Sequence, residues 1–254
     1  YADIFNGTTT ISQTGNAIFY LAHTAAGNQF NGNLILNSSG SGQGIRFGQN
    51  NGSSTLADGY AITAGVTGLV TGSTILRNFT QTGNTAQTLS QTTGTSLFRI
   101  EGSSVFNGNV DFNFPQLIVN GGTFNGITSL RKNGAGNNTW TGATTFNNTA
   151  TIINAGTGWM QLATTSANTF NAASTFSSLN TGILYVSHTV AGSTFNGNIQ
   201  LNSTNASGGV YFGQSGGTST LAATYTISAG TDGISAGSVR LRNFTQAGGT
   251  AQVL

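Results

Sequence analysis

The sequence contains no cysteine, a single proline (Pro115) and only 12 charged side chains among its 254 residues. The lack of cysteine excludes a disulfide scaffold and thiol chemistry. About a quarter of the residues of an average protein are charged, so this chain has few groups for acid–base catalysis, metal coordination or phosphate binding. Its seven basic residues form no stripe in the sequence, and we therefore expect no nucleic-acid partner.

Long apolar runs are also missing, because no apolar stretch in the sequence is long enough to cross a bilayer. Thr, Gly, Asn and Ser together make up 133 of the 254 residues, yet 37% of the chain is apolar and includes 16 Phe. This apolar content and the small net charge favour a packed protein over a disordered one. The single proline and the composition, which is poor in helix-forming residues, favour strands and turns. Without a long apolar run, no membrane insertion is expected.

The main signal in the sequence is a long repeat that places Phe30 on Phe195, an offset of 165. Residues 30–89 align without a gap on residues 195–254, and 34 of these 60 positions are identical. We call this stretch the shared unit. We divide the chain into one full long repeat, residues 1–165, and the first part of the next copy, residues 166–254. Because both ends fall inside the repeating pattern and no leader sequence opens the chain, we expect it to be a window cut from a longer array.

A shorter repeat lies within the long one and is marked by the dipeptide Phe-Asn. Its copies begin at Phe5, Phe30, Phe106, Phe124, Phe146, Phe170 and Phe195. Apart from the wide interval between Phe30 and Phe106, this spacing predicts the coils of a solenoid, and degenerate coils would fill the wide interval. At roughly 22 residues per coil and about 4.8 Å per layer, we expect 11 or 12 layers and a rod of roughly 55 Å.

Differences between the two copies indicate which strand positions face the core. Leu34-Ile35-Leu36 becomes Ile199-Gln200-Leu201, so the outer residues stay aliphatic while the middle one changes polarity. This pattern is typical of a strand that is buried on one side. The same reasoning assigns three matched pairs to the core, namely Phe47/Phe212, Leu76/Leu241 and Phe79/Phe244.

The predicted fold class is all-β, with two architectures open. Asn-Gly pairs such as Asn31-Gly32 and Asn196-Gly197 favour left-handed turn conformations, which suit a hairpin as well as the corner of a coil. Hairpins would build tandem antiparallel β-sandwich modules. Corners would build a repetitive parallel β-solenoid with Phe and Asn stacked layer on layer, and the short strands and recurrent Phe-Asn favour this alternative.

Few residues are candidates for catalysis or metal binding. Of five acidic residues, only Glu101 and Asp111 lie close together in the sequence and could form the carboxylate pair of a glycosidase. We interpret them as solvated side chains and expect no catalytic site. His23 and His188 occupy equivalent positions in the two copies, but without a third ligand nearby we expect neither a metal nor a cofactor site.

Two further patterns involve threonine and asparagine. Pairs of the form Thr-x-Thr raise the prospect of an ice-binding surface, since flat threonine arrays on a solenoid can order water. The triplets at Asn37/Asn202 and Asn78/Asn243 match the sequence for N-glycosylation. The threonine pairs are irregularly spaced, and we interpret them as strand surface; they begin at Thr8, Thr80, Thr93, Thr139, Thr149, Thr218 and Thr224.

The residues of the shared unit resemble a known class of proteins. Phe195-Asn196-Gly197-Asn198, Tyr211-Phe212-Gly213-Gln214 and Thr218-Ser219-Thr220-Leu221-Ala222 resemble the giant repeat-rich surface proteins of the Bacteroidota, such as gliding adhesins and filament-forming capture or attachment proteins. The resemblance implies export by the type IX pathway to the cell surface and a mechanical or adhesive role.

From these observations we expect a non-enzymatic shaft segment of an extracellular filament, assembled from several parallel copies of the chain, with a cell surface or a glycan as its target. The alternative is a β-helix that binds or cleaves carbohydrate, with Trp140, Trp159 and Tyr185 as platforms for sugar rings.

Overall fold

The computed structural model describes residues 2–40 and 44–254. Within these ranges the chain forms 31 short β-strands and one short 3-10 turn, Gln49–Asn51. Every strand pairing in the described ranges is parallel. The predicted parallel β-solenoid is therefore confirmed, and the alternative of antiparallel sandwiches is wrong.

Each turn of the solenoid contributes strands to three faces. The first face is a single sheet of eleven strands that pair in register along the whole rod. Its strands are β1 (Ile4–Phe5), β4 (Asn28–Phe30), β7 (Ser54–Leu56), β10 (Phe79–Gln81), β13 (Val105–Phe106), β16 (Gly122–Phe124), β19 (Thr144–Phe146), β22 (Thr169–Phe170), β25 (Ser193–Phe195), β28 (Ser219–Leu221) and β31 (Phe244–Gln246).

The second face consists of a three-stranded sheet followed by a seven-stranded sheet. Pairing is irregular between its second and third strands, where the register shifts between Leu36 and Ser38. Its strands are β2 (Thr9–Gln13), β5 (Leu34–Ser38), β8 (Ile62–Leu69), β11 (Gln87–Ser90), β14 (Val110–Phe114), β17 (Thr128–Lys132), β20 (Ala150–Asn154), β23 (Ser174–Ser178), β26 (Ile199–Ser203) and β29 (Ile227–Ala229).

The third face is divided into two five-stranded sheets. The first holds β3 (Phe19–Leu21), β6 (Ile45–Phe47), β9 (Ser73–Arg77), β12 (Leu97–Glu101) and β15 (Gln116–Asn120). The second holds β18 (Asn138–Thr139), β21 (Met160–Gln161), β24 (Ile183–Val186), β27 (Gly209–Phe212) and β30 (Ser238–Leu241).

The long repeat corresponds to a whole number of layers. Seven successive pairings of the first face lead from Ile4 in the first copy to Thr169, its equivalent in the second. The pairings that follow Thr169 then reproduce, position for position, those that follow Ile4. Seven layers thus form one period, and the first face continues from the first copy into the second without interruption.

The interior is filled by apolar side chains that alternate with outward residues along each strand, as predicted. Leu34 and Leu36 are fully buried while Ile35 between them is partly exposed. Leu76 is also fully buried, but the assignment of its counterpart Leu241 to the core is wrong, since Leu241 is 40% exposed. Leu76 is paired with Phe47 on one side and with Ile100 on the other, whereas Leu241 is paired on one side only among the described residues, with Phe212.

Phenylalanine rings stack along the axis inside the first face. Rings of Phe106, Phe124, Phe146, Phe170 and Phe195 follow one another at centroid distances of 4.8 to 5.4 Å with nearly parallel planes. The wide Phe-Asn interval contains two layers, in which Leu56 and Gln81 take the place of the phenylalanine. These are the degenerate coils that the sequence predicts.

Asn-Gly pairs mark the corners that follow β4 and β25, but without the left-handed conformation that such pairs favour. Neither Gly32 nor Gly197 has a positive φ angle. A Cβ atom on Gly32 would collide with the backbone of Gly7 in the preceding layer, and one on Gly197 would collide with that of Ala172. Glycine is required here by the close approach of successive layers.

Candidate functional site

The outer surface of the first face is uncharged and regular. None of its eleven strands contains a charged residue. Paired outward positions in nine successive layers form a row in which every member but one is threonine, and we call it the threonine column. Its members are spaced by the strand separation of about 4.8 Å. They are Thr55, Thr80, Val105, Thr123, Thr145, Thr169, Thr194, Thr220 and Thr245.

A second row lies beside the threonine column, just after each strand. The side-chain amide of Asn125 donates to Asn107 at 2.7 Å, and equivalent bonds of 2.6 to 3.0 Å link Asn147, Asn171 and Asn196 in succession. We call these five residues the asparagine ladder. The ladder confirms the predicted stacking of asparagines, and each bond adds a link between layers.

The threonine column differs from the threonine pairs that the sequence suggests. Of the residues in those pairs, only Thr80 and Thr220 belong to the column. The informative signal was instead the tripeptide Thr-Phe-Asn, whose copies are irregularly spaced along the chain but adjacent in space. This tripeptide begins at Thr123, Thr145, Thr169 and Thr194.

The third face carries an aromatic and basic strip in its second sheet. Tyr185 and Tyr211 are paired neighbours with ring centroids 5.7 Å apart, and the Arg240 guanidinium lies 4.3 Å from the Tyr211 ring centre. Burial and the neighbouring Tyr211 raise the pKa of Tyr185. This strip is not repeated, because the equivalent positions of the first copy hold Tyr20, Arg46 and Ile75.

The second face contains a polar depression of about 490 Å³. Its lining residues come from four successive layers and include Asp111, Asn113, Ser129, Arg131 and Ile153. The depression combines two opposite charges with hydroxyl and amide groups. It lies between the two copies of the shared unit, in a part of the period that the sequence shows only once.

The two acidic residues considered for glycoside cleavage do not share a groove. Glu101 lies on the third face and is only 6% exposed. Its carboxylate accepts hydrogen bonds from the Arg77 guanidinium at 2.8 Å and from the Arg99 guanidinium at 3.0 Å. Asp111 lies on the second face and lines the depression, whose lining does not include Glu101. The two carboxylates are therefore not placed to act on one glycosidic bond.

The tryptophans and Tyr185 do not form a common platform. Trp140 is fully buried, and its indole N–H donates to the carbonyl of Leu117 at 2.9 Å, so the prediction that it stacks on a sugar ring is wrong. Trp159 and Tyr185 are partly exposed. Trp140 is a core residue whose polar atom is satisfied by a neighbouring layer.

The two histidines occupy equivalent places on the third face. His23 packs edge-on to Tyr20 at 4.8 Å, and His188 packs in the same way on Tyr185 at 5.0 Å. Burial lowers the pKa of His188. Because the two residues are seven layers apart, roughly 34 Å, they cannot share a ligand.

The candidate glycosylation sites in the second face are buried. Asn37 is 8% exposed and Asn202 is 3% exposed. The Asn202 amide donates to Ser177 at 3.0 Å, and its oxygen accepts from two backbone N–H groups. The Asn78 amide is also engaged, since it donates to the carbonyl of Gly52 at 3.2 Å. In the folded chain the matched pair Asn37 and Asn202 is therefore not accessible to a glycan.

In the described ranges no group of three His, Asp or Glu residues is placed to hold a metal ion. No helix in the described chain is long and apolar enough to span a membrane. A scan against protein-family models found no matching family, and searches of curated proteins and of solved structures found no match.

Proposed function

We propose that this chain is a non-enzymatic segment of the shaft of an extracellular filament used for attachment or capture. The observation that carries the proposal is the match between the repeat and the layers. One long repeat contains seven complete layers, and strand β22 of the second copy pairs directly with β19 of the first. Tandem copies therefore extend one rod rather than form a string of separate beads.

The contacts between layers suit a mechanical role. In a parallel solenoid the backbone hydrogen bonds run along the axis, so a pull along the rod is shared among three faces. Inside, the phenylalanine stack joins consecutive layers, and outside the asparagine ladder does the same. Stability in such an array is approximately the sum of nearest-neighbour interactions, so added periods lengthen the rod without weakening it.

The surface suits assembly of parallel chains. The first face presents the same threonine and asparagine rows in successive layers and has no charged residue in its strands. A second copy lying alongside meets no charged residue in these strands, and the threonine column gives it the same outward residue in eight of nine successive layers. Export and placement at the cell surface follow from the resemblance to the surface proteins of the Bacteroidota.

Electron microscopy of the native protein and of a variant with one additional long repeat tests the proposal. We expect filaments with layers about 4.8 Å apart, and a rod longer by about 34 Å in the variant. Antibodies against the first face should label the outside of intact source cells. Separate compact particles joined by flexible linkers, or labelling confined to the cytoplasm, would contradict the shaft function.

The threonine column favours a second candidate function, which is ice binding. Its methyl and hydroxyl groups form a straight row at a spacing of about 4.8 Å, beside a second polar row and without charge in the strands. Such a surface can hold water molecules in an ordered layer.

An assay of ice-recrystallisation inhibition tests whether the chain binds ice in addition to its proposed function as a shaft. Thr145→Tyr and Thr169→Tyr, which disrupt the column, should abolish inhibition. Thr151→Tyr and Thr175→Tyr change outward threonines of the second face and should leave it intact. A parent chain without any inhibition excludes ice binding and leaves the shaft function untouched.

A further inference from the structure

We propose that the depression on the second face is a binding site for a neutral glycan chain that lies along the axis of the rod. The depression has a volume of about 490 Å³ and includes residues of β11, β14, β17 and β20. Four layers extend over roughly 14 Å, so the depression accommodates a stretch of an extended chain rather than one small molecule.

Its two charged residues have no ionic partner in residues 2–40 and 44–254. The ion pairs within these ranges are those of Glu101 with Arg77 and Arg99. Asp111 and Arg131 are not paired with each other, although both line the depression. The chain has only 12 charged residues, and two of them with opposite charge line this one depression without an ion pair. Both are therefore available to bind a ligand.

The strand register sets the distance between Asp111 and Arg131. Asp111 is aligned with Ser129, and Arg131 is aligned with Asn113 on the neighbouring strand. The Cα atoms of Asp111 and Arg131 therefore lie on a diagonal of roughly 8 Å, one strand spacing across and two residues along. The short side chain of Ser129 leaves the space beside Asp111 open.

Amide groups add fixed polar contacts. The Asn133 amide donates to the Asn113 oxygen at 2.8 Å and to the carbonyl of Gln91 at 3.2 Å. This holds the Asn113 amide in one orientation, and its own N–H₂ group has no acceptor among the described residues. The group is therefore available as a donor to a ligand.

This set of groups matches the chemistry of a sugar. A carboxylate accepts from two neighbouring hydroxyls, whereas a guanidinium and an amide N–H₂ donate to hydroxyl oxygens. Ile153 offers an apolar contact to the C–H groups of a ring. Because the charges of Asp111 and Arg131 cancel, neither a polyanion nor a polycation is preferred, and a neutral glycan fits best.

The position of the depression links it to the repeat. It lies among residues 90–153, outside the shared unit that is present twice. Tandem periods that preserve these residues present one such site every seven layers, or roughly every 34 Å on the same face. Weak contacts repeated along one rod add to a strong attachment when the target is itself a polymer.

The test uses the full chain and defined probes: hexasaccharides of the cello, xylo, manno and chito series, with oligogalacturonate and chitosan oligomers as charged comparators. We expect calorimetric binding of at least one neutral series at millimolar concentration. On binding, the side-chain amide NMR signals of Asn113 and Asn133 should shift.

Variants locate the site. Asp111→Ala and Arg131→Ala should each weaken binding about tenfold or more, because each removes a charged hydrogen-bonding group. Asp232→Ala and Arg242→Ala alter exposed charges elsewhere and should not change the affinity.

Both site variants should fold like the parent, since neither side chain makes a hydrogen bond to another described residue. The NMR shifts of the Asn113 and Asn133 side-chain amides, measured in the parent chain, locate the site without using any variant. Absence of binding to every neutral series, binding of charged oligomers alone, or equal affinity in all four variants overturns the proposal. None of these results bears on the filament seen by electron microscopy, so the glycan site and the shaft function fail separately.

Discussion

The two copies of the shared unit show which contacts the solenoid must keep. In the first copy, Phe47 packs edge-on between Phe30 at 6.0 Å and Phe79 at 5.7 Å. In the second copy, Phe212 packs between Phe195 at 5.9 Å and Phe244 at 5.4 Å. The interior arrangement is thus reproduced almost unchanged in the next copy of the long repeat.

The outward positions of the third face behave in the opposite way. Arg46 and Ile75 of the first copy correspond to Tyr211 and Arg240 of the second, where a guanidinium packs on a tyrosine ring. Inner positions must fit the filled interior of the rod, whereas outer positions of this face contact only side chains of the same surface, where Ile75 and Tyr211 are each 7% exposed. Packing in the interior therefore defines the repeat, and the outer surface of the third face is free to vary.

The largest expected effect is at the inner ring that both copies share. Phe212→Ala should lower the free energy of unfolding by about 3 to 5 kcal/mol, because the removed ring leaves a cavity in a fully buried site, and Phe47→Ala should do the same. Chemical denaturation measures both. Tyr20→Ala, at a side chain 41% exposed, is the control, and a loss below about 1 kcal/mol for Phe212→Ala contradicts its assignment to the core.

The region between the two copies of the shared unit contains a buried lysine, and neither copy of the shared unit contains a lysine. Lys132 is fully buried, and its ammonium donates to the carbonyls of Gly134 and Gly158, each at 2.8 Å. Burial lowers the pKa of Lys132 to about 8 from its usual 10.5. The unfolded chain thus holds this proton at pH values where the folded chain has released it.

Stability should therefore rise as the pH rises from about 8 toward 10.5, by roughly 3 kcal/mol in total. Denaturation of the parent and of Lys132→Met between pH 7.5 and pH 9.5 isolates this contribution, since the variant should lack the rise. An identical pH profile in both proteins rules out a lowered pKa for Lys132.

Glycine at the corner after β4 offers a comparison between layers. Gly32→Ala should cost about 1 to 3 kcal/mol, because the new methyl group collides with the backbone of Gly7. Gly7→Ala lies in the first described layer, with no described layer before it, and its added Cβ has no atom within 4 Å; it should change the free energy of unfolding of this chain by less than about 0.5 kcal/mol. Denaturant titrations compare the two variants. Equal effects would show that chain flexibility rather than close approach selects glycine here.

The smallest effect concerns the asparagine ladder, which ends where alanine, Ala222, follows the next strand. Asn147→Ala breaks the side-chain bonds to Asn125 and Asn171 and should lower stability by about 1 kcal/mol, since the groups are exposed and regain water. Asn84→Ala, at an exposed asparagine outside the ladder, serves as the control in thermal unfolding. If the asparagine ladder does not stabilise the fold, the two variants should show the same small change in stability.

Much of the fold could be predicted from the sequence because the repeat exposes it. Ile35 and Gln200 revealed the outward side of a strand, and the Phe-Asn pairs revealed the stacked layers. The sequence did not reveal the threonine column, because the coils differ in length and loops absorb the difference: the coil from Val105 to Thr123 is shorter than the one from Gln29 to Thr55. Residues that are adjacent in space are therefore irregularly spaced in the chain.

The candidate sites were less accessible to sequence reasoning. Glu101 and Asp111 are near each other in the sequence, yet they lie on different faces, because the chain passes through β13 of the first face between β12 and β14. Trp140 was a candidate for stacking on a sugar ring, but the structure places its side chain in the core, where it is fully buried. The depression around Asp111 and Arg131 depends on register, since Arg131 is brought beside Asn113 only by the pairing of β14 with β17.

The sequence by itself determined the all-β class, the long period and most of the inward residues, because a repeat that buries one side of each strand records this burial in its own pattern. Only the tertiary structure determined the three faces, the threonine column and the depression that brings Asp111 and Arg131 together. These features depend on which residues of successive coils are paired, and backbone hydrogen bonds fix that pairing independently of distance along the chain.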